Sequence, residues 1–243
     1  MFGDLDTYSL IDFFPFDAES YLSLFRLQNE AWWPLHIFIA IALFVPLAIV
    51  AVSWRSEQER MRLYAVRALQ LFLVFAWASA SGFILIRYST LNWAAYNLGF
   101  VFFGQAILML LMSVLGAIDV ESLPPKERGP TYWAGALFVL FALFGYPAFG
   151  LAFGHGWSGI EFVGLAPDPT AIATIGIMLM CRKPYLWLLA VPAAWSAAAG
   201  LTAFALELEV GLFTAALAAI GVSIAALRRL MQWRDGATSA GVS

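Results

Sequence analysis

Residues 33–54 have the sequence WPLHIFIAIALFVPLAIVAVSW, an apolar run that contains no Asp, Glu, Lys or Arg. An α-helix crosses about 30 Å of membrane hydrocarbon with about 20 apolar residues, and this run is long enough to do so. The alternation of apolar and polar residues that is typical of a half-buried strand is absent. The run therefore predicts a membrane-spanning helix.

Similar apolar runs recur along the chain, so the fold class that we expect is an all-α polytopic membrane bundle of seven helices. The fifth run is short and is interrupted by proline. Around a transmembrane helical domain over 32–233 we place an acidic and aromatic N-terminal segment over 1–31 and a flexible C-terminal tail over 234–243. The predicted spans are 33–54, 65–87, 94–118, 131–153, 168–182, 185–206 and 210–232.

The composition of the chain agrees with a membrane location. Of its 243 residues, 62% are hydrophobic and only 12% are charged, whereas about a quarter of the residues of a soluble domain are charged. The net charge of −3 offers no basic surface to a nucleic acid. A single Cys excludes an internal disulfide, and two His make a His-rich metal site unexpected. We therefore exclude a soluble enzyme, a disordered chain and a nucleic-acid binder.

Lys and Arg are concentrated on one side of the predicted bundle. Of the 13 in the chain, only Arg26 and Arg87 fall on the opposite side. Because cytoplasmic loops carry an excess of Lys and Arg, this distribution predicts an N-terminus outside and a C-terminus in the cytoplasm. That orientation requires an odd number of crossings, which supports counting the fifth run as a span.

A short helix is predicted before the first span. Asp17 is a suitable N-cap, and Glu19 in the first turn favours the helix dipole. Phe16 and Tyr21 have the spacing of a hydrophobic staple. We interpret 17–30 as an amphipathic helix at the membrane surface, with the start of the first span as the alternative.

The most unusual stretch is EFVGLAPDPT, residues 161–170, in which two prolines flank an acid. We predict Asp168 as the N-cap and Pro169 at the N1 position, and the helix then continues over 170–181. Twelve residues make a helix only about 18 Å long. A short, proline-interrupted segment of this kind indicates a binding site in some transporters. An interfacial loop that caps a tilted helix is the alternative.

Other polar residues within or beside the spans are candidate site residues. Asn97 and Gln105 lie on one face of the third span, where they either bond between helices or line a cavity. Arg87, Asn92, Glu161 and Asp168 are expected on the outer side, where they form either an outward-facing polar pocket or plain surface charge. The candidate binding residues are therefore Asp168, Glu161, Arg87, Asn92, Asn97 and Gln105.

Catalytic and cofactor motifs are absent from the sequence. A retinal protein needs a lysine in the middle of its last helix, but Lys126 and Lys183 both fall in loops. We find no phosphate-binding loop, no HExxH and no GxSxG. His36, alone on its helix, is expected to be a hydrogen-bonded interior residue. The sequence identifies no cofactor or metal and does not predict an enzyme.

Several phrases resemble an uncharacterised bacterial family of polytopic membrane proteins, domain of unknown function 6064. The resemblance covers about residues 17–220 and marks Asn29, Pro34, Asn92, Trp93 and Asp168. It implies an inner-membrane, multi-helix protein and brings no activity. The phrases are NEAWWP (29–34), NWAA (92–95), YP (146–147), GLAPDPT (164–170), PAAW (192–195) and GLT (200–202).

Two functions remain open from the sequence. The first is a small membrane-embedded binding or transport protein with an outward-facing polar site. The alternative is a non-catalytic accessory or structural subunit of a larger membrane complex. The expected partners are the lipid bilayer and either other membrane subunits or further copies of this chain, with no nucleic acid.

Overall fold

The computed structural model describes residues 15–53, 55–116, 118–121 and 123–240, and these residues form an all-helical bundle without β-strands. Residues 1–14 of the predicted acidic and aromatic segment lie outside the described ranges. The α-helices are α1 (Ala18–Trp32), α2 (Leu35–Val52), α3 (Glu59–Ile86), α4 (Tyr96–Val114), α5 (Pro130–Leu140), α6 (Tyr146–Ala152), α7 (Gly156–Gly159), α8 (Pro167–Met180), α9 (Ala190–Ala205) and α10 (Glu209–Ala240).

Among the described residues, six helical stretches are long and apolar enough to cross a membrane. They correspond to every predicted span except the fifth, whose place is taken by α8. The helix α10 continues to Ala240, past the predicted start of the tail at residue 234. The six stretches are Leu35–Val52, Glu59–Thr90, Tyr96–Val114, Pro130–Ala152, Leu186–Ala205 and Glu209–Asp235.

The helix α8 lies at the centre of the bundle. It has 14 residues, all of which are buried, and is about 21 Å long at 1.5 Å per residue. Its backbone approaches that of α5 closely. A Cβ atom on Gly176 would lie only 2.7 Å from the carbonyl oxygen of Gly135, so there is room only for a glycine there. Small residues at such a crossing let two helices pack backbone to backbone. Close packing of this kind explains how neighbouring helices surround α8 along its whole length.

The helix α5 continues into α6 through one π-helical turn, Phe141–Gly145. The backbone N–H of Tyr146 donates to the carbonyl of Phe141, five residues earlier. Pro147 explains the wider turn, because proline has no N–H to donate and its ring excludes the carbonyl four residues before it. The π-helical turn accommodates the proline without breaking the span and sets the direction in which Tyr146 points.

The first helix, α1, is separate from the first span. As predicted, Asp17 is its N-cap and accepts a hydrogen bond from the backbone N–H of Ser20 at 2.8 Å. The predicted staple is also confirmed, since the rings of Phe16 and Tyr21 stack at 6.1 Å between centroids. α1 ends at Trp32, before α2 begins, so it is not the frayed start of that span.

At the other end of the bundle, Arg228 of α10 closes the C-terminus of α8. Its guanidinium donates to the carbonyls of Leu179 and Cys181, at 3.0 and 2.9 Å, and pairs with the buried carboxylate of Glu121. These carbonyls carry the negative end of the α8 dipole, where a cation is favourable. Nearby, Arg182 pairs with Asp119 at 3.5 Å.

Candidate functional site

The N-terminal end of α8 lies inside the bundle. Ala166 occupies the N-cap position and makes no side-chain capping bond, and the helix begins at Pro167. The prediction that Asp168 is the N-cap, with Pro169 first in the helix, is therefore wrong. Pro167 takes that first position itself, where its fixed φ suits the helix and its missing N–H has no intrahelical partner to lose. Asp168 falls in the first turn and is free to point elsewhere.

The N-cap residue of α8 makes no side-chain hydrogen bond, and Thr170 in the first turn makes hydrogen bonds to the preceding segment instead. Its hydroxyl accepts a hydrogen bond from the N–H of Gly164 at 2.9 Å and donates one to the carbonyl of Ala166 at 2.7 Å. Gly164 has a φ of +81°, which a residue without a side chain adopts without strain. The turn before α8 is thereby fixed to the first turn of the helix.

The Asp168 carboxylate is held by side chains from two other helices. The indole Nε1–H of Trp195, on α9, donates to Oδ1 at 2.6 Å, and the Tyr146 hydroxyl, on α6, donates to Oδ2 at 3.1 Å. The Tyr146 hydroxyl itself accepts a hydrogen bond from Thr214, on α10, at 2.9 Å. Asp168 is only 2% exposed. These two donors offset part of the free energy that burial costs the ionised form of this carboxylate.

Aromatic packing fixes the Trp195 donor. Its indole meets the rings of Phe102 and Tyr88 edge to face, with centroids 5.2 and 6.2 Å apart. Such edge-to-face contacts are favoured by the charge distribution of the rings. The contacts with these two rings therefore hold the indole N–H in position toward Asp168.

Glu161 lies beside Asp168, on the loop that precedes α8. Its side chain is 5% exposed, and its Oε2 has no hydrogen-bond partner among the described residues. Both carboxyl groups line one cavity of about 10 Å³, together with Tyr21 and His155. That volume is about the minimum for one water molecule. Burial and, second, the charge of Asp168 raise the pKa of Glu161 well above its usual range.

This geometry assigns different protonation states to the two carboxyl groups. Two carboxylates in one buried site do not both ionise readily, because like charges repel strongly where water is scarce. Asp168 has the donors that stabilise a negative charge, and Glu161 has an unpartnered oxygen. The pair therefore favours a proton on Glu161 and a charge on Asp168. Within the described residues, no group of three His, Cys, Asp or Glu is placed to hold a metal ion.

The structure brings together only two of the four residues expected in the outward-facing pocket. Glu161 and Asp168 share the cavity, but neither Arg87 nor Asn92 is among the described residues that line it. Arg87 is half-buried at the end of α3 and, in the described part of the chain, forms no ion pair with either carboxylate. Asn92 is half-buried in the turn before α4. The expected four-residue pocket is thus reduced to an acid pair.

Asn97 and Gln105, which were expected to act as a pair, lie in different environments. Gln105 is buried and donates to the carbonyl of Leu188 at 2.9 Å, which confirms the packing interpretation for this residue. Asn97 is exposed, so the expectation that it faces other helices is wrong. The two lie on similar sides of α4 but about 12 Å apart along its axis, and Asn97 is in the first turn of the helix. Neither residue lines the cavity of Glu161 and Asp168.

The loop that carries Glu161 is tied to α1 by Asn29. The side-chain amide of Asn29 donates to the carbonyls of Ser158 and Ile160, at 2.8 and 2.7 Å. Its Oδ1 then remains as an acceptor for His36 Nε2, at 3.2 Å. His36 is therefore the hydrogen-bonded interior residue that the sequence predicts. Asn29, one of the residues marked by the family resemblance, fixes the position of the loop.

Three residues of the site were not predicted as site residues: Tyr146, Trp195 and Thr214. The sequence does hold a signal for Trp195, because an indole N–H deep in an apolar helix needs a hydrogen-bond partner. Tyr146 adjoins Pro147, which marks an irregular turn. Thr214 has no comparable signal, since threonines commonly donate to their own helix backbone. The Val210 carbonyl lies 3.2 Å from this hydroxyl, as a second possible acceptor for its one proton.

Comparison with known proteins agrees with the family resemblance. A family model described as a family of unknown function, DUF6064, matches residues 18–233. No curated protein and no solved structure matches the chain. The match includes every residue of the acid pair and of its hydrogen-bond network.

Proposed function

This chain belongs to the DUF6064 family, and we propose that it is a multi-pass protein of the bacterial inner membrane that binds or transports a ligand through reversible protonation of Glu161. In this proposal the chain crosses the membrane seven times, with its N-terminus outside. The acid pair of Glu161 and Asp168 is its outward-facing site.

The seventh crossing in this proposal is α8. Its 14 buried residues run from the acid pair to Arg182 and Lys183, two of the cations that we place in the cytoplasm. A helix about 21 Å long falls short of about 30 Å of hydrocarbon. In this proposal the remaining distance is covered mainly by the turn before α8, which is largely buried, since Arg182 and Lys183 after α8 are exposed. Irregular backbone at membrane depth is tolerated where protein surrounds it.

The observation that carries the proposal is the buried, unpartnered oxygen of Glu161 beside Asp168. An ionisable group in the interior of a membrane protein is costly, and such groups commonly belong to proton relays or substrate pathways. A purely structural role would be served better by an apolar side chain or by a fully hydrogen-bonded one. The network on Asp168 keeps one charge in place, and Glu161 is left to gain or lose a proton.

Infrared spectroscopy of the purified protein tests the proposal, since only a protonated carboxyl group shows the carbonyl stretch of a carboxylic acid. At neutral pH, we expect one such band from a buried acid in the wild type. The band should be lost in Glu161→Gln and should disappear reversibly when the pH is raised. The matched control is Glu207→Gln, which changes an exposed glutamate and should leave the band unchanged.

Two results would contradict the proposal. A band that persists in Glu161→Gln would place the proton elsewhere. A spectrum without any buried carboxylic acid at neutral pH would mean that both acids are ionised and that Glu161 has no proton to release.

A further inference from the structure

A second, much larger cavity lies on the opposite side of the loop that carries Glu161. Its volume is about 720 Å³, within the range of 300–1,000 Å³ that is typical of small-molecule sites. One wall is the first half of α2, and the other is formed by the π-helical turn and the start of α6. Ser158 of α7 and the loop residues Phe162 and Val163 line one end of it.

The walls of this cavity are almost entirely apolar. Ile37, Ala40 and Phe144 are typical of the side chains that line it. Water is held poorly by a site with few polar partners, so an apolar occupant is favoured over solvent. Both walls also belong to stretches that could cross a membrane. If they do cross it, an opening between them would meet the hydrocarbon of the bilayer.

The rim of the cavity is aromatic and carries one acid. Trp33 and Trp157 are 70% and 78% exposed at the outer ends of their segments, where indole rings favour the membrane interface. Glu30 also lines the cavity and is exposed, and no Lys or Arg is among the described residues that line it. A negatively charged head group at this rim would meet the carboxylate of Glu30 without a neutralising cation.

We propose that this cavity binds the hydrocarbon chain of a membrane amphiphile whose head group carries no net negative charge. The chain lies between α2 and the π-helical turn, and the head group lies at the level of Trp33 and Trp157. This site is distinct from the acid pair and stands whether or not Glu161 exchanges a proton.

Quenching of tryptophan fluorescence by brominated amphiphiles tests the site. The probes are a brominated fatty alcohol and a brominated fatty acid of the same chain length. Each is added to the purified full-length protein in detergent, at a pH where the fatty acid is ionised. We expect saturable quenching by the alcohol at concentrations about tenfold lower than by the acid. Trp33→Phe combined with Trp157→Phe should remove most of the saturable component.

Two phenylalanine substitutions on one helix separate the cavity from general contact with detergent or lipid. Ala40→Phe fills the cavity and should raise the half-quenching concentration of the alcohol by about tenfold. Ala42→Phe, at an exposed position two residues away that does not line the cavity, should leave it unchanged. Quenching that does not saturate, equal quenching in both variants, or tighter binding of the ionised fatty acid would overturn the proposal.

Discussion

At the scale of single residues, Trp195 makes the shortest hydrogen bond to Asp168 and shows how the site depends on a distant side chain. Trp195→Phe removes the donor and keeps most of the aromatic packing. Because a hydrogen bond to a charged group contributes about 1.5–3 kcal/mol, we expect a loss of stability of that size.

Chemical unfolding in detergent measures this loss. The control is Trp187→Phe, since Trp187 is 46% exposed and lies outside the network. We expect that control to change stability by less than about 0.5 kcal/mol. A Trp195→Phe protein as stable as the control would mean that the indole does not stabilise the Asp168 carboxylate.

The raised pKa of Glu161 predicts that the stability of the folded protein depends on pH. Its pKa is raised in the folded protein by burial and by the charge of Asp168, whereas an unfolded chain has a glutamate pKa of about 4.3. The folded state therefore binds the extra proton, and the stability from this group is complete below the unfolded pKa and is lost as the pH rises through the folded one. Raising the pH should lower the melting temperature of the wild type.

Glu161→Gln removes the titrating group and keeps a neutral side chain of similar shape. Its melting temperature in detergent should fall less than that of the wild type between about pH 5 and about pH 9. Parallel pH profiles for the two proteins would show that Glu161 titrates normally.

At the scale of structural elements, α7 and the loop that follows it, residues 156–166, separate the two cavities. The position of this segment depends on its hydrogen bonds to Asn29. Removing the Asn29 amide leaves the buried carbonyl of Ile160 without its donor, and an unsatisfied buried group costs about 1–3 kcal/mol. We therefore expect Asn29→Ala to lower the melting temperature and to increase amide hydrogen exchange in this loop.

Asn97→Ala is the matched control for Asn29→Ala, because Asn97 is an exposed asparagine on another helix. It should leave exchange in the loop unchanged. Equal exchange in the two variants would show that the Asn29 contacts do not hold the loop.

The elements also show how far the sequence predicts the structure. Six of the predicted spans follow from local apolar length, and their helices are recovered within about six residues at each end. Asp17 is recovered as a cap because capping is local. The start of α8 was misplaced because two prolines were equally suitable for its first position. The partners of Asp168 lie 22 and 27 residues away, on other helices. Such contacts depend on helix packing, which local spacing does not encode.

At the scale of the whole molecule, the count of seven spans depends on whether α8 crosses the membrane. Ser158 and Lys183 lie on the two sides of α8, and both are exposed. If α8 crosses, the two residues are on opposite faces of the membrane. If α8 only enters and returns, they are on the same face and the chain has six spans.

Labelling of single cysteines with a membrane-impermeant thiol reagent in intact cells decides between these arrangements. The background is Cys181→Ala, which removes the buried native thiol, and the variants are Ser158→Cys and Lys183→Cys. We predict that Ser158→Cys is labelled in intact cells and that Lys183→Cys is labelled only after the membrane is permeabilised. The opposite pattern, or labelling of both from outside, would contradict an outward-facing acid pair in a bundle of seven spans.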